Sequence, residues 1–530
     1  MAKYDGVVIG AGHNSLVLAA YLTLAGQKVA VLERNGQVGG GCTTEEPSLP
    51  GYRFNLHSNF YMGFRHAPFF RDLELYRFGF SIVEPPVQQG TTFSDGSCIV
   101  LHHDLDESCK ALARFSERDA KTFRDLSVRY EQEMRQLLTS IRYSAPLPPE
   151  VLRDRLAGPQ GREYLSHSRF DMFEVVRHYF ENERIQTMLL ALMHVGTAEN
   201  APGAGAAFPA TIAAVRSYTL PVGGSASFTR ALRRLVEAGG SSVVTSADVR
   251  EIVVKDGRAT GVRLDTGEFV EARNFVASGI DAPATIRMSG EENYSQSVRE
   301  KMRKWYWGNH SSMTLHLALK AVPQYRSAAF DPNIAKAFNI FFGMDTLGDI
   351  EAAFSDNEKG LFPSVLMGNG ACNSAFDPLY SPSDGHVAFW WPFVPYSVDG
   401  APSNWDDHRE EYAKKTLEKW RVHATNLDGD NIRAHHLSTP LDSERLNVNM
   451  VQGAARMGAW VPWQLGHNRP HPELSGTRTP IEGLYLCGSS TTGSGGGLNG
   501  APGYIAANSI VDDLSLTRTW TPIASPEWAH

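Results

Sequence analysis

The sequence lacks three features that would each point to a particular class of protein. No run of 18 apolar residues occurs in its 530 residues, so no transmembrane helix is predicted. The 50 lysines and arginines are outnumbered by 58 aspartates and glutamates, and the net charge of −8 argues against nucleic acid or an anionic membrane as the main partner. Only five cysteines are present and none forms a Cys-x-x-Cys pair, which is typical of a reducing compartment.

Length and composition indicate an ordinary globular protein with more than one domain. Hydrophobic residues make up 42% of the chain and charged residues 20%. A chain of 530 residues exceeds what one hydrophobic core supports, so we expect at least two domains. The first predicted strand begins within a few residues of Met1, which leaves no room for a targeting segment unless one has been removed. We therefore expect a cytoplasmic protein, for which peripheral membrane contact stays open.

The first forty residues carry the pattern of a dinucleotide-binding unit. An apolar strand ends at Ile9, and the glycines at 10 and 12 allow a tight turn and close approach to a pyrophosphate. The next segment, 16–25, is predicted to be a helix whose N-terminus faces that phosphate. A second strand, 28–32, ends on Glu33, whose carboxylate can accept hydrogen bonds from a ribose. A glycine turn without a ligand would not require that terminal acid.

The motif departs once from the pattern G-x-G-x-x-G, because Ser15 stands where the third glycine is expected. That glycine allows close packing of helix on strand and does not contact phosphate. Serine is the next smallest residue that could occupy the position. We interpret Ser15 as tolerated variation.

Two further glycine-rich segments extend this site. Gly39, Gly40 and Gly41 follow the ribose-binding acid and expose backbone N–H groups to a phosphate or a ring edge. Near the C-terminus, residues 489–503 form a glycine-rich loop before a predicted helix from Tyr504 to Leu514. This loop matches G-x-G-x-x-G by letter, but no strand ending in an acid follows it, so we predict no second dinucleotide site. Its helix N-terminus can instead complete the first site.

The middle of the chain alternates between helical and strand patterns. Apolar residues recur every three or four positions between Asp104 and Ile141, which predicts helix with one buried face. Short strands joined by turns at Asp256-Gly257 and 265–267 predict a three-stranded meander. All ten tryptophans lie after position 304. Such aromatic clusters more often form core than a ligand pocket, although some could line an apolar cavity.

With these elements placed, the chain resembles the phytoene-desaturase-like branch of FAD-dependent oxidoreductases, which share a fold with flavin amine oxidases. Within that branch it is most similar to the type called pyridine nucleotide-disulphide oxidoreductase domain-containing protein 2. Five segments carry the resemblance: the motif of Gly10, Gly12 and Glu33, then Val38–Glu46, Pro221–Ser225, Leu437–Arg445 and Gly483–Gly488 with its glycine-rich continuation.

The resemblance implies an α/β fold: a Rossmann-like FAD-binding domain of the glutathione-reductase and amine-oxidase kind, with an inserted, discontinuous α+β substrate domain. The FAD-binding domain would comprise residues 1–70, 218–290 and 452–530, and the substrate domain 71–217 and 291–451. The residues implied in cofactor binding are Gly10, Gly12, His13, Asn14, Ser15, Glu33, Arg34, Gly39, Gly40, Gly41, Cys42, Val243, Val244, Gly488, Ser489, Gly497, Leu498 and Asn499. Val243 and Val244 would approach the adenine.

Departures from the family pattern loosen the transfer of any one member's activity. Besides Ser15, the triple-glycine loop has Gly41 where many relatives carry arginine. The C-terminal loop has Ser489 where some flavoproteins use an acid on the ribityl chain. Disulphide chemistry needs two close thiols, and Cys98 and Cys109, eleven residues apart, lack a supporting motif.

A general base could assist if the substrate loses a proton to the protein. His57 is the first candidate, because its segment follows the glycine loop and is expected to pass near the flavin. His310 and His316 are weaker alternatives, and a lone histidine is more often structural than catalytic. The remaining histidines show no ligand spacing, so no metal site is predicted.

We therefore expect an FAD-dependent dehydrogenase, desaturase or oxidase that removes hydride from a C–H or C–N bond of a hydrophobic or cyclic small molecule. Without a second dinucleotide site, the electron acceptor would be oxygen, a quinone or a redox partner. Two alternatives stay open: a flavin-dependent isomerase without net redox change, and a non-catalytic lipid- or partner-binding protein on the same scaffold, like the Rab GDP-dissociation inhibitors.

Overall fold

The computed structural model of the chain describes residues 4–193, 200–308, 310–492 and 498–524. Two large sheets organise these residues, and helices cover both. The strands are β1 (Tyr4–Ile9), β2 (Val29–Leu32), β3 (Thr44–Glu45), β4 (Phe54–Asn55), β5 (Tyr61–Met62), β6 (Ile82–Val83), β7 (Val87–Thr92), β8 (Cys98–His102), β9 (Tyr218–Pro221), β10 (Ser242–Val244), β11 (Val249–Lys255), β12 (Arg258–Leu264), β13 (Phe269–Ser278), β14 (His310–Ser312), β15 (Thr314–Leu319), β16 (Asn339–Phe342), β17 (Gly368–Ala371), β18 (His386–Pro395), β19 (Ile432–Ser438) and β20 (Leu484–Leu486).

Helices fill most of the intervals between strands. They are α1 (His13–Leu24), α2 (Pro68–Asp72), α3 (Leu105–Ala113), α4 (Glu117–Val128), α5 (Arg135–Tyr143), α6 (Pro149–Arg155), α7 (Pro159–Ser166), α8 (Met172–Tyr179), α9 (Glu183–Met193), α10 (Phe208–Ala214), α11 (Ala226–Ala238), α12 (Ala282–Met288), α13 (Gln296–Arg303), α14 (Leu347–Glu358), α15 (Asn404–Asp407), α16 (Arg409–His423), α17 (Pro440–Leu446) and α18 (Ala501–Asp513). The predicted helical segment from Asp104 to Ile141 is confirmed as α3, α4 and α5, with a π turn between the last two.

The first sheet is a Rossmann-like parallel sheet with an antiparallel extension. Strands β10, β2, β1, β13 and β20 run parallel in that order. Strand β12 pairs with the first half of β13, and β11 pairs with β12, which forms the predicted meander. Strands β1, β2 and β20 are mostly buried and rich in valine, isoleucine and leucine, as a sheet covered on both faces requires. All five parallel strands end at the same edge, which is where ligands bind in open α/β sheets.

Three helices from distant parts of the sequence cover one face of this sheet. Helix α1 packs between α11 and α18, and its residues from Leu16 to Leu22 are all buried. Gly503 permits the close approach of α18, because a Cβ there would lie 2.0 Å from the carbonyl oxygen of Asn14. The C-terminal helix therefore packs directly on the first helix of the chain.

The second sheet is mixed and mostly antiparallel, in the order β19, β15, β18, β17, β16, β7 and β8, with β14 on β18. Its strands come from residues 87–102 and 310–438, whereas those of the first sheet come from 4–32, 242–278 and 484–486. Helices α3 to α10 and α14 contribute to a separate apolar core over one face. The α/β fold with an interrupted Rossmann-like unit is confirmed, and the domain boundaries stay a prediction.

Candidate functional site

A cavity of about 1290 Å³ begins at the carboxyl edge of the parallel sheet and reaches the face of the second sheet. Gly10, Glu33 and Gly41 line its first part, and Phe341 and Trp391 line its far part. Pockets for a single drug-sized ligand measure roughly 300–1,000 Å³. The cavity therefore has room for a cofactor and a small substrate together.

Backbone glycines form the wall of the cavity at the end of β1. Gly10 has φ +82°, a conformation that favours glycine, and Gly12 precedes α1 without any side-chain cap. The triple-glycine loop touches this turn, since Gly39 N–H donates to the carbonyl of Ala11 at 2.9 Å. A Cβ on Gly40 would lie 3.2 Å from Gly12 Cα. The uncapped helix N-terminus leaves N–H groups and positive dipole available to a phosphate.

The Glu33 carboxylate is held in one orientation by two backbone donors. Ala11 N–H donates to Oε2 at 2.8 Å, and Asn35 N–H donates to Oε1 at 2.9 Å. The side chain is only 6% exposed. Because a carboxylate has about four acceptor positions, each oxygen keeps capacity for a further donor. This arrangement fits the two hydroxyls of a ribose.

Asn14 links the first helix to the C-terminal segment. Its Nδ2 donates to Ser489 Oγ at 3.1 Å, although the two residues are 475 positions apart. Its Oδ1 is buried and receives no hydrogen bond from the described residues. A buried acceptor without a donor is costly, so this oxygen fits a site that a polar ligand completes.

His57 lies beside the third glycine of the loop. A Cβ on Gly41 would stand 3.8 Å from His57 Cβ and 2.9 Å from Met450 Cε, so Met450 occupies the space beside Gly41 into which a side chain would extend. Burial lowers the pKa of His57 to about 4, against a smaller opposing effect of Asp442. The imidazole is therefore neutral at pH 7, able to accept a hydrogen bond but weak as a base.

The other two candidate histidines differ in position. His310 lines the cavity, and its Nδ1 is 3.2 Å from Asn357 Nδ2. His316 is fully buried behind Phe54, with ring centroids 4.9 Å apart, and does not line the cavity. Burial and the nearby His436 hold the pKa of His316 well below its ordinary value. Among the three, the structure brings His57 and His310 to the cavity.

The structure brings most of the expected cofactor residues to one surface. Those that line the cavity are Gly10, Gly12, His13, Asn14, Ser15, Glu33, Arg34, Gly40, Gly41, Ser489, Leu498 and Asn499. Gly39, Cys42 and Gly488 are buried and do not line the cavity. Val243 and Val244 pair with β2, but the cavity wall beyond them is formed by 247–250. Gly497 lies outside the described residues.

Sequence reasoning missed two parts of the first-sheet wall. Asp281 follows β13, caps α12 through Ala284 N–H at 2.7 Å and lines the cavity, and burial raises its pKa. Residues 447–451 line the cavity next to the triple-glycine loop. Gly279 after an apolar strand was a usable signal for the first part, because parallel strands end at one edge. The second part carried no motif.

The far part of the cavity, here called the sheet-facing end, is one face of the second sheet. It consists of Asn339, Phe341, Asn369, Trp391 and Phe393. Asn369 lies opposite Phe341 on one neighbouring strand and opposite Trp391 on the other. Residues opposite each other, and residues two apart, share a face of a sheet, which explains why these five meet.

Comparison with known proteins identifies the family. The chain is 30% identical to one of the subunits of the limonene dehydrogenase of Castellaniella defragrans, over 98% of this chain and 96% of that protein. The chain belongs to the phytoene-desaturase-like family of FAD-dependent oxidoreductases. The enzyme is also 27% identical to pyridine nucleotide-disulfide oxidoreductase domain-containing protein 2 of Rattus norvegicus, over 97% and 94% of the two chains. A family profile described as an NAD(P)-binding Rossmann-like domain matches residues 8–73.

Solved structures show the same fold. Cyclohexylamine oxidase from Brevibacterium oxydans covers 97% of the enzyme and 100% of its own chain with a TM-score of 0.56 at 15% identity. A putrescine oxidase variant gives a TM-score of 0.62 at 16% identity, over 97% and 99% of the chains. The enzyme is thus an oxidoreductase on the flavin amine-oxidase fold, and the family and fold together indicate a flavin cofactor.

The described residues contain no disulfide bond, no cluster of metal ligands and no membrane-spanning helix. All five cysteines are free thiols, and burial raises the pKa of the Cys42 thiol, next to the cavity-lining Gly41, to about 11. No cluster of three or more histidine, cysteine or acidic side chains is arranged to hold a metal ion in the part of the chain that the structure describes. No helix within the same ranges has the length and apolarity to cross a bilayer.

Proposed function

We propose that the enzyme binds FAD and removes hydride from a C–H or C–N bond of a hydrophobic or cyclic small molecule. The continuity of the cavity carries this proposal: one space joins the carboxyl edge of the parallel sheet to an aromatic face of the second sheet. FAD, when bound, accepts two electrons and a proton as hydride from the substrate. The protein then has to hold both molecules and keep water out.

The residues of the first-sheet wall fit the adenosine and pyrophosphate of FAD. Glu33 would bind the ribose hydroxyls, and the uncapped N-terminus of α1 after Gly12 would bind the pyrophosphate. Residues 247–250, which line the cavity, would contact the adenine. Gly40, Gly41 and Ser489, which continue the same surface, would contact the flavin half of the molecule.

The remaining space belongs to the substrate. The side chains there are mainly apolar and aromatic, such as Phe60, Phe341 and Phe393, which favours a hydrophobic skeleton. His57 lines the cavity beside Gly41, where its neutral ring can accept a hydrogen bond and orient a substrate. We assign it this role, with proton removal as the alternative that a pH profile would reveal.

The electron acceptor is proposed to be oxygen, a quinone or a protein redox partner. One dinucleotide-binding unit serves FAD, and the described residues contain no second strand, glycine turn and acid in the required order.

Five free thiols favour a cytoplasmic location.

Anaerobic reduction of the bound flavin tests this proposal. Limonene is a suitable first substrate, because one relative belongs to a limonene dehydrogenase. Related monocyclic hydrocarbons, alcohols and amines complete the panel. Stoichiometric loss of the visible flavin absorbance with one of them, and its return on adding oxygen or a quinone, is the expected result. A flavin that no member of the panel reduces would contradict hydride removal from this substrate class.

A flavin-dependent isomerase is the second candidate. The enzyme is 22% identical to prolycopene isomerase 1 of an Oncidium hybrid over 97% of this chain and 85% of that protein. An isomerase would convert substrate without net bleaching and without an electron acceptor. Product analysis in the same anaerobic cuvette therefore separates the two functions.

A further inference from the structure

Three buried amide side chains form a hydrogen-bonded row across the second sheet. Asn369 Nδ2 donates to Asn339 Oδ1 at 3.0 Å, and Asn339 Nδ2 donates to Gln89 Oε1 at 2.8 Å. Gln89 Nε2 donates to the backbone carbonyl of Val215 at 3.0 Å. The residues lie on adjacent strands, with Gln89 directly opposite Asn339. We call these three side chains the amide row.

The Val215 carbonyl fixes the direction of the amide row. A carbonyl oxygen can only accept, so Gln89 must turn its nitrogen toward Val215 and its oxygen toward Asn339. Asn339 must then present nitrogen to Gln89 and oxygen to Asn369. The same logic leaves Asn369 with its nitrogen bonded and its oxygen at the free end. The orientation of each amide thus follows from the acceptor-only chemistry of the Val215 carbonyl.

The free end of the row is an acceptor in apolar surroundings. No described residue donates a hydrogen bond to Asn369 Oδ1, although the residue is only 9% exposed and lines the cavity. Its cross-strand neighbours are Phe341 and Trp391. Asn59 shows the contrast, because its Oδ1 already receives bonds from Asn55 and Asn373. Because Asn369 lines the cavity, an apolar ligand that fills this space would displace the water available to its oxygen, so this position fits a ligand that brings a donor.

We propose that the sheet-facing end recognises a substrate bearing a hydroxyl group, which donates to Asn369 Oδ1. The inference rests on the proposed function and specifies its substrate: a hydrophobic ring skeleton with one hydroxyl. A ketone would place oxygen against oxygen. An ammonium group would require a counter-charge, and the acids lining the cavity, Glu33, Asp248 and Asp281, follow strands of the first sheet. A neutral hydroxyl group can donate a hydrogen bond to Asn369 Oδ1 and needs no counter-charge.

Three ligands with one carbon skeleton test the polarity of the site. Menthol offers a hydroxyl donor, menthone a carbonyl acceptor and p-menthane neither. Their Kd values for the flavin-loaded enzyme are measured by equilibrium dialysis with gas-chromatographic quantitation. One hydrogen bond from menthol predicts a Kd about tenfold lower than those of menthone and p-menthane. Equal Kd values, tighter binding of menthone, or no measurable binding of any of the three up to its solubility limit overturns the proposal.

Two variants locate the preference. Asn369→Leu keeps the branching of the side chain at Cγ and removes the acceptor, so it should abolish the about tenfold preference for menthol. Phe393→Leu changes the same apolar face and leaves the amide row intact. It should raise the Kd of all three ligands by a similar factor, so the preference for menthol is kept. If Asn369→Leu does not fold, the wild-type comparison still decides. Flavin absorbance, recorded in every sample, distinguishes loss of this recognition from failure of FAD binding itself.

Discussion

Ser15 Oγ lies 1.8 Å from the position that a Cβ on Gly279 would take. The serine that replaces the third glycine of the dinucleotide motif is therefore accommodated by a glycine just after β13. Gly488, which comes shortly after β20, is also tightly packed, since a Cβ there would lie 2.8 Å from the carbonyl oxygen of Gly279. Helix α1 can pack closely on the sheet because Gly279, at the end of the neighbouring strand, has no Cβ where Ser15 carries its side chain.

Gly279→Ala should be strongly destabilising, because its methyl group would overlap the Ser15 hydroxyl and crowd the carbonyl of Ile9, 3.1 Å away. Overpacking of this kind costs about 1–3 kcal/mol in free energy of unfolding. Urea unfolding measures it. The double variant Ser15→Gly/Gly279→Ala should recover a large part of the loss. If the double variant is no more stable than Gly279→Ala, the two sites do not compensate each other.

Glu33→Gln should weaken FAD binding at least tenfold. The amide has one acceptor oxygen instead of two, so it cannot serve both backbone donors and both ribose hydroxyls, and charge-assisted hydrogen bonds are worth about 1.5–3 kcal/mol. Fluorescence titration of apoprotein with FAD gives the Kd. Glu237→Gln is the control, since Glu237 is an exposed ion-pair residue on α11 that makes the same change in charge. Equal affinities for both variants would argue against the ribose site.

Arg469 is a buried cation whose hydrogen bonds go to backbone carbonyl groups, and its guanidinium lies over the Trp305 ring at 5.4 Å. It is fully buried and donates to the carbonyls of Ser489 at 3.0 Å, Arg456 at 2.8 Å and Ala459 at 3.2 Å, among others. No carboxylate among the described residues pairs with it, and burial lowers its pKa to about 9. The guanidinium thus ties the wall at 456–464 to the first residue of the C-terminal glycine loop.

Arg469→Gln should detach Ser489 from the wall at 456–464. It should lower the free energy of unfolding by about 3 kcal/mol or more, because several buried carbonyls lose their donor. Arg469→Lys should recover little of this stability, since lysine lacks the planar set of donors of a guanidinium group. Thermal unfolding and the rate of flavin loss during dialysis are the measurements. Arg478→Gln, which removes an exposed ion pair with Asp513, serves as control and should change either quantity little. Similar effects from both substitutions would mean that Arg469 has no special role.

His57 makes the enzyme less stable in acid. Its folded-state pKa of about 4 lies below the ordinary 6.5, so the unfolded chain takes up a proton between these values while the native protein does not. Stability is therefore lost as the pH falls from about 6.5 toward 4. His57→Asn should reduce the stability lost between pH 7 and pH 5 by about 1–2 kcal/mol. His408→Gln, at an exposed position, should leave the loss unchanged; an identical slope for all three proteins contradicts the assignment.

The local parts of the site were predictable from sequence. The turn with Gly10 and Gly12, helix α1 and Glu33 are consecutive in the chain, and each residue type is required by backbone geometry or by the ribose. The helices and the meander followed from periodicity and turn residues in the same way. These features depend on neighbours within about thirty residues.

The rest depends on contacts that no local pattern encodes. Asn369 reaches the cavity because β17 pairs with β16 and β18, and a shift of one residue in that register would turn it away. Asn14 meets Ser489 only through the packing of α18 on α1. The tryptophans show the same limit: Trp390 is core and Trp391 lines the cavity, because adjacent residues of a strand face opposite sides.

Identification of the bound cofactor tests the central claim most directly. The enzyme is purified without added flavin, its absorption spectrum is recorded, and the cofactor released by denaturation is identified by mass spectrometry and quantified. One FAD per chain, non-covalently bound and retained poorly by Glu33→Gln, is the predicted result. A colourless protein that takes up no FAD, or one that carries a nicotinamide dinucleotide in this site, would contradict the account.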